Sequence, residues 1–266
     1  MTDLPDSVTG KDALEVAVAA ARQAGAILTD RFRGSTKAHF KGRANIVTEA
    51  DLEAERAIIS LLRAEFPDHG ILSEESEPIA GDAGLTWILD PLDGTNNFSF
   101  GIPLFCVVLA LTRSDESLLG VIYDPLRDEL FSARKGGGAY LNGQPMSVTR
   151  KTTVPESLVG LDLGYVDENG KRLLQLLARL WPNVYAFRLM GSAALSMAYV
   201  ACGRLDLYFH LLLYPWELAC GQLLVTEAGG VATNWSGAPL GTQGDSIVAS
   251  NPEVHADFLA RLRDMA

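Results

Sequence analysis

Apolar and small residues recur at helical spacing over residues 11–32, at Leu14, Val18, Ala21, Gly25, Leu28 and Phe32, and predict an amphipathic helix. A second helix is predicted over 49–66, with Leu52, Ile59, Leu62 and Phe66 on one face. Thr48 is its natural N-cap and Pro67-Asp68 its end. The pattern then changes. Short apolar runs at 70–73 and 86–89 each lead into an acid, and 102–112, 117–123 and 129–133 read as strands separated by turn residues such as Arg113-Ser114-Asp115. Gly136-Gly137-Gly138 and Asn142-Gly143 predict tight turns. Beyond residue 154 strands and helices alternate: a strand at 157–163, a helix at 171–180, and a helix opened by Gly191-Ser192-Ala193-Ala194 and ended at Gly203. A strand-like run at 205–209 precedes a helix at 216–228, which places Trp216, Ala219, Cys220, Leu223 and Leu224 on one stripe and stops at Gly229-Gly230. An apolar run at 246–249 and a helix from Pro252 close the chain. The economical reading is two α/β halves, 1–150 and 151–266, with no Pro/Ser-rich linker between them and hence packed as one unit.

The chain has 266 residues, 48% of them hydrophobic, enough to bury a sizeable core. With 22 Lys+Arg against 33 Asp+Glu the formal net charge is −11, which argues against nonspecific nucleic-acid binding and against an anionic membrane surface as partner. An acidic protein that binds a phosphorylated compound needs something positive in its site, and metal ions are the usual answer. The longest apolar stretch, 102–111, is about half the ~20 residues of a membrane-spanning helix. The acidic, polar residues 1–12 read as neither a secretory signal nor a transit peptide. Cys106, Cys202 and Cys220 form no CxxC and no Cys/His cluster, so reduced thiols in a cytoplasm are expected, and zinc or iron–sulfur sites have no ligand set.

The most informative segment is Asp90-Pro91-Leu92-Asp93-Gly94-Thr95-Asn96-Asn97-Phe98 at the end of a buried run. Pro91 fixes φ and Gly94 permits a tight turn, which can aim both Asp90 and Asp93 at one point. Two such carboxylates repel unless a cation lies between them. A helix starting near Thr95 would add an anion site beside that cation. A plain turn capped by Asp90 accounts for the bare segment equally well. Glu74-Glu75 at a strand end is more often a solvated pair, and on a strand at most one of the two side chains enters a given site. Glu217, in the first turn of the 216–228 helix, is explained by the helix dipole, and Asp51 by a loose capping box with Thr48. His39, His69, His210 and His255 are scattered, which leaves little support for a histidine-based site.

Taken together, these segments resemble a family. Val47-Thr48-Glu49-Ala50-Asp51, Ser73-Glu74-Glu75-Ser76, Asp90-Pro91-Leu92-Asp93-Gly94-Thr95, Trp216-Glu217-Leu218-Ala219 and Glu227-Ala228-Gly229-Gly230 resemble, in order, the inositol monophosphatase family, as do Tyr123-Asp124-Pro125, the stretch 138–143 and Gly191-Ser192-Ala193-Ala194. The resemblance implies a layered αβαβα sandwich of the inositol monophosphatase/fructose-1,6-bisphosphatase type, a homodimer, and a Li⁺-inhibited, Mg²⁺-dependent phosphomonoesterase for a small phosphorylated polyol or related metabolite. Two or three ions per site are implied, with Mn²⁺ as a substitute. On the same likeness Glu74, Asp90 and the Leu92 carbonyl would hold a first metal, and Asp90, Asp93 and Glu217 a second. Glu74 and Thr95, supported by Asp51, would activate water, and the Gly94 and Thr95 backbone N–H groups would hold phosphate. All-oxygen ligands suit a hard cation such as Mg²⁺.

The chain departs from that pattern twice. The family has Asp after the Trp, where this chain has Glu217, longer by roughly 1.5 Å, and an altered metal requirement is expected. Seven residues earlier, inositol-type members carry a Glu that bonds substrate hydroxyls, where this chain has His210; Ala193 and the bulky Tyr165 stand at other substrate-contacting positions. The leaving group therefore stays open between inositol phosphates, histidinol phosphate, 3′-phosphoadenosine nucleotides and sugar phosphates. From another class, a non-catalytic dimeric interaction protein with a metal site weakened by Glu217 is the competing reading.

Overall fold

The computed structural model describes residues 4–32, 34, 38–42 and 45–265. Residues 1–3 of the acidic N-terminal stretch lie outside them. Helix α1 (Ala13–Arg31) starts in a capping box, with Asp12 accepting from the Leu14 N–H at 2.8 Å and Glu15 accepting from the Asp12 N–H. A hairpin of β1 (Ala38–Gly42) and β2 (Asn45–Thr48) runs straight into α2 (Glu49–Glu65), capped by Thr48 and Asp51. Next come β3 (Gly70–Ser73), β4 (Thr86–Asp93), the one-turn helix α3 (Thr95–Ser99), β5 (Cys106–Arg113), β6 (Glu116–Asp124), β7 (Glu129–Arg134), β8 (Gly138–Leu141) and β9 (Gln144–Pro145). The second half contains β10 (Leu158–Leu161), α4 (Asp167–Leu180), β11 (Ala186–Leu189), α5 (Ala193–Ala201), β12 (Leu207–Leu213), α6 (Pro215–Glu227), β13 (Val231–Thr233), β14 (Asp245–Ser250) and α7 (Pro252–Met265).

Strands β3 to β9 form one sheet in chain order, parallel only between β3 and β4; a second sheet has the order β11-β10-β12-β14-β13. Helices α1 and α2 cover the outer face of the first sheet, α5 and α6 fill the space between the sheets, and α4 and α7 cover the second sheet. The result is a five-layer αβαβα sandwich. Strand β5 shows the logic: Val107, Leu109 and Leu111 face α1 and α2, while Cys106, Val108 and Ala110 face α5 and α6. Both of its faces are dry, so its sequence is an unbroken apolar run. Helix α6 is likewise buried nearly all round, at Leu218, Ala219, Cys220, Gly221, Leu223, Leu224 and Val225, because it lies between two sheets; the predicted single stripe was too narrow. Helix α2 turns inward Ala50, Asp51, Ala54, Glu55, Ile58 and Leu62, whereas Leu52 and Ile59 of the expected face are only half-buried. The three buried acids of this helix, Asp51, Glu55 and Glu65, hid that face from a hydrophobic pattern.

Other boundaries moved. The strand expected over 102–112 begins at Cys106, and the one expected over 205–209 extends to Leu213. The edge strands β1, β2, β9, β11 and β13, and the short β8 beside β9, carry little apolar signal of their own. The sequence Asn142-Gly143 forms the expected turn, with φ of 49° and 76°. No helix among the described residues is long and apolar enough to cross a membrane.

Candidate active site

Positions three apart on a regular strand point to opposite faces. Asp90 and Asp93 nevertheless line one cavity, because the β4–β5 register slips between the Asp90↔Val108 and Asp93↔Cys106 pairs. The slip falls at Pro91-Leu92, where Pro has no N–H to lose from the ladder and Leu92 donates its N–H to Asp90 Oδ1 at 2.9 Å. Gly94 then turns the chain with φ of 97°; a Cβ there would stand 3.0 Å from the Leu104 carbonyl oxygen, so both conformation and space call for glycine.

The cavity, of about 260 Å³, is lined by Glu74, Asp90, Leu92, Asp93, Gly94, Thr95 and Glu217 among others. These residues come from the turn after β3, from β4, from the start of α3 and from α6, so the site straddles both halves of the chain. Asp51 lies behind it, buried on α2. Its Oδ1 accepts from the Thr95 hydroxyl at 3.0 Å, and its Oδ2 accepts from the Thr48 N–H and hydroxyl. The Thr95 hydroxyl is also 2.9 Å from the Leu92 carbonyl oxygen. Asp93 is tied across the seam: its Oδ2 accepts from the Ser192 hydroxyl and from the Ala194 N–H at 2.9 Å, at the start of α5. Glu217 folds back on its own helix start and accepts from the Tyr214 N–H at 2.7 Å.

Sequence reasoning missed several participants. Lys41 on β1 sets its Nζ 2.8 Å from Glu74 and 2.7 Å from Glu75, and it lines the cavity. Glu74 lines the cavity and Glu75 does not, yet both reach this ammonium: β3 ends at Ser73, so strand alternation no longer applies beyond it. Glu55 on α2 holds that segment by accepting from the Ser73 hydroxyl, the Glu75 N–H and the Ser76 hydroxyl. Asn97 Nδ2 donates to the Leu104 and Met190 carbonyls at 2.8 and 2.9 Å, pinning the 190–192 turn. Ser192 was legible as an N-cap, opening a helix after a glycine. Lys41 and Glu55 had no pattern to mark them.

Burial dominates the electrostatics. It pushes Asp90 well above the ordinary carboxylate range, with Glu74, Asp93 and Glu217 pushing further. Asp93 is raised chiefly by burial, against hydrogen bonds from Ser192 and Ala194. Burial, then Asp93, raises Glu217 to about 8, and burial raises Asp51 to about 6 against its bonds from Thr48 and Thr95. Acids so placed hold protons unless a cation replaces them. Among the described residues no three acids close around a point as they stand: Glu74 leans to Lys41, Asp93 to Ser192 and Glu217 to Tyr214. The donor set, carboxylates and a carbonyl without sulfur or imidazole, fits a hard divalent ion.

A second cavity, of about 280 Å³, adjoins the first and shares Asp93, Gly94, Tyr165, Tyr214 and Glu217 with it. The remaining expected substrate contacts, Ala193 and His210, line this second space.

The profile of the inositol monophosphatase family matches residues 11–265. The chain belongs to the inositol monophosphatase family. It is 39% identical over 262 residues to inositol monophosphatase 1 of Solanum lycopersicum, covering 94% of both chains, and 37% identical over 255 residues to the Nus factor SuhB of Escherichia coli K12, covering 94% of this chain and 96% of that one. Among solved structures, the extragenic suppressor protein suhB from Bartonella henselae superposes with a TM-score of 0.88 at 35% identity, over 94% of this chain and 98% of that one. An IMPase from Thermotoga maritima gives 0.85 at 33%, over 94% and 96%. As a member of this family the chain is a phosphomonoesterase.

Proposed function

We propose that the enzyme hydrolyses phosphate monoesters of small metabolites with Mg²⁺, through Glu74, Asp90, the Leu92 carbonyl, Asp93 and Glu217 as ligands. The observation that carries this reading is the bulge at Pro91-Leu92, which turns Asp90 and Asp93 into one cavity with Glu74 and Glu217. Divalent ions held there would offset the phosphate's charge and lower the pKa of bound water by several units. The backbone N–H groups of Gly94 and Thr95, where α3 opens on the cavity, would hold phosphate oxygens. With its proton given to Asp51, the Thr95 oxygen keeps its lone pairs for a hydrogen bond from the attacking water, and Glu74 offers a second acceptor. The water oxygen forms a new P–O bond as its proton passes by way of Glu74 to solvent, the ester P–O bond breaks, and the alcohol leaves carrying a proton from solvent, so the protons balance. Serving both halves of the site, residues 1–150 and 151–266 work as one unit, with α5 and α6 packed against the first sheet.

The family likeness further supports a homodimer, inhibition by Li⁺ and substitution of Mn²⁺, and the unpaired cysteines fit a reducing cytoplasm. A second reading, a dimeric interaction protein, finds support in relatives that carry the name Nus factor. The assay that separates the two is phosphate release from inositol 1-phosphate, histidinol phosphate, an adenosine bisphosphate and fructose bisphosphate, with Mg²⁺, with Mn²⁺, and with added Li⁺ or EDTA. Metal-dependent release that is lost in Asp90→Asn supports the proposal. No release from any of them, by a folded protein, overturns it.

A further inference from the structure

The second cavity has walls unlike those a sugar or a cyclitol would need. Five of the twelve large hydrophobic side chains that are exposed among the described residues, Tyr165, Val166, Leu189, Leu212 and Tyr214, line this one space. Such a concentration marks a binding surface rather than chance exposure. A ligand with a hydroxyl on every carbon would have to strip several of those hydroxyls of water against these apolar side chains.

Within these walls His210 offers a buried donor. His210 is 6% exposed and lines the cavity. Its Nδ1 accepts from the Leu212 N–H at 3.1 Å, so a neutral ring carries its proton on Nε2. Burial lowers the ring to about 4, which keeps it neutral at physiological pH. The Nε2 makes no hydrogen bond among the described residues. Gly164 lies against this edge of the ring: a Cβ there would be 3.1 Å from Cε1 and 3.2 Å from Nε2, so the absence of a side chain leaves the N–H open. Opposite in character, Asp162 also lines the cavity, but its carboxylate already accepts from the Gly191 N–H at 2.7 Å and stands 3.5 Å from the Tyr208 hydroxyl. Of these two groups, the one left without any partner is therefore the His210 Nε2–H.

We infer that the preferred substrate is a phosphate monoester whose alcohol carries a flat, largely apolar ring with one hydrogen-bond acceptor, taken by the His210 Nε2–H, and not a polyol phosphate. This rests on the phosphomonoesterase reading and on phosphate sitting in the adjoining metal-side cavity, which the two spaces' shared residues Asp93 and Gly94 permit. His210 is a specificity-determining residue in this account: it touches the leaving group and takes no part in the bond change.

The test uses the full chain with Mg²⁺ and compares kcat/KM for inositol 1-phosphate, 2-phenylethyl phosphate and 2-(2-pyridyl)ethyl phosphate. The last two differ by one ring acceptor at nearly equal size. The pyridyl ester should exceed inositol 1-phosphate by about tenfold or more and the phenyl ester by several-fold. In His210→Leu the pyridyl-to-phenyl ratio should fall to about one, and in His210→Gln, which keeps an N–H donor, it should partly recover. Each ratio is taken within one variant, so a loss of folded protein cancels. Inositol 1-phosphate as the best substrate, or a ratio unmoved by His210→Leu, overturns the inference while leaving the phosphatase reading intact. No phosphate from any of the three overturns both.

Discussion

Replacing Glu217 by Gln isolates the charge of the most unusual acid in the site, since Gln has the same length and its oxygen can still accept from the Tyr214 N–H that Glu217 now caps. Burial and the neighbouring Asp93 raise Glu217 from an ordinary 4.5 to about 8. The folded chain thus keeps a proton that the unfolded chain gives up between those values. Stability is highest below pH 4.5, falls as pH rises through the window, and reaches its full deficit above pH 8. At 1.36 kcal/mol per unit the ceiling is about 5 kcal/mol; because the carboxyl faces a water-accessible cavity, screening reduces this to about 2 kcal/mol. In EDTA, thermal unfolding of Glu217→Gln should therefore match the wild type near pH 5 and exceed it at pH 8.5. The gap corresponds to roughly 4–8 °C in Tm for a chain of this size. With saturating Mg²⁺ the order should reverse, because the wild type gains an ion ligand that Gln replaces poorly. A variant equal to or less stable than wild type at pH 8.5 in EDTA would refute the reasoning, since the buried charge would then carry no cost.

Further expectations concern single contacts. Thr95→Ala should lower kcat by about 10²-fold or more with Mg²⁺ affinity little changed, and Thr95→Ser should restore most of it; equal loss in both variants would remove the hydroxyl from the account. Glu217→Asp shortens the acid by roughly 1.5 Å against an ion that demands about 2.0–2.1 Å ligand distances, so titration calorimetry should show altered Mg²⁺ affinity and assays altered turnover; no change in either contradicts the assigned ligand. Gly120 on β6 faces α6, where an added Cβ would meet Cys220 Sγ at 2.6 Å. Gly120→Ala should cost about 1–3 kcal/mol in denaturant unfolding, and a neutral result would mean that the central layer is looser than described.

How far the sequence could be read depended on whether local chemistry or distant contacts decide a position. Thr48 and Asp51 form a capping box that three residues of spacing predict, and the structure shows it. The Asp90-to-Gly94 turn was legible because Pro91 and Gly94 have few backbone options. The bulge that puts both acids on one face was not, since it depends on pairing with β5. Helix α6 was found but its burial underestimated, because a helix between two sheets loses the polar face that periodicity relies on. Lys41 sits on a short edge hairpin with no apolar signal, and its meaning comes wholly from Glu74 and Glu75, more than 30 positions away. Glu55, which no local pattern marks, is a buried acceptor for the segment that carries Glu74.

In the proposed mechanism, acids from β4, α6 and the turn after β3 share divalent ions. Crystals grown with Mn²⁺ and measured at the manganese absorption edge test it most directly. Anomalous peaks are expected between Asp90 and Asp93, flanked by Glu74 on one side and Glu217 on the other, with Glu74 drawn off Lys41. Fully formed crystals soaked in Mn²⁺ that show no peak there, or peaks only at other acids, would contradict it.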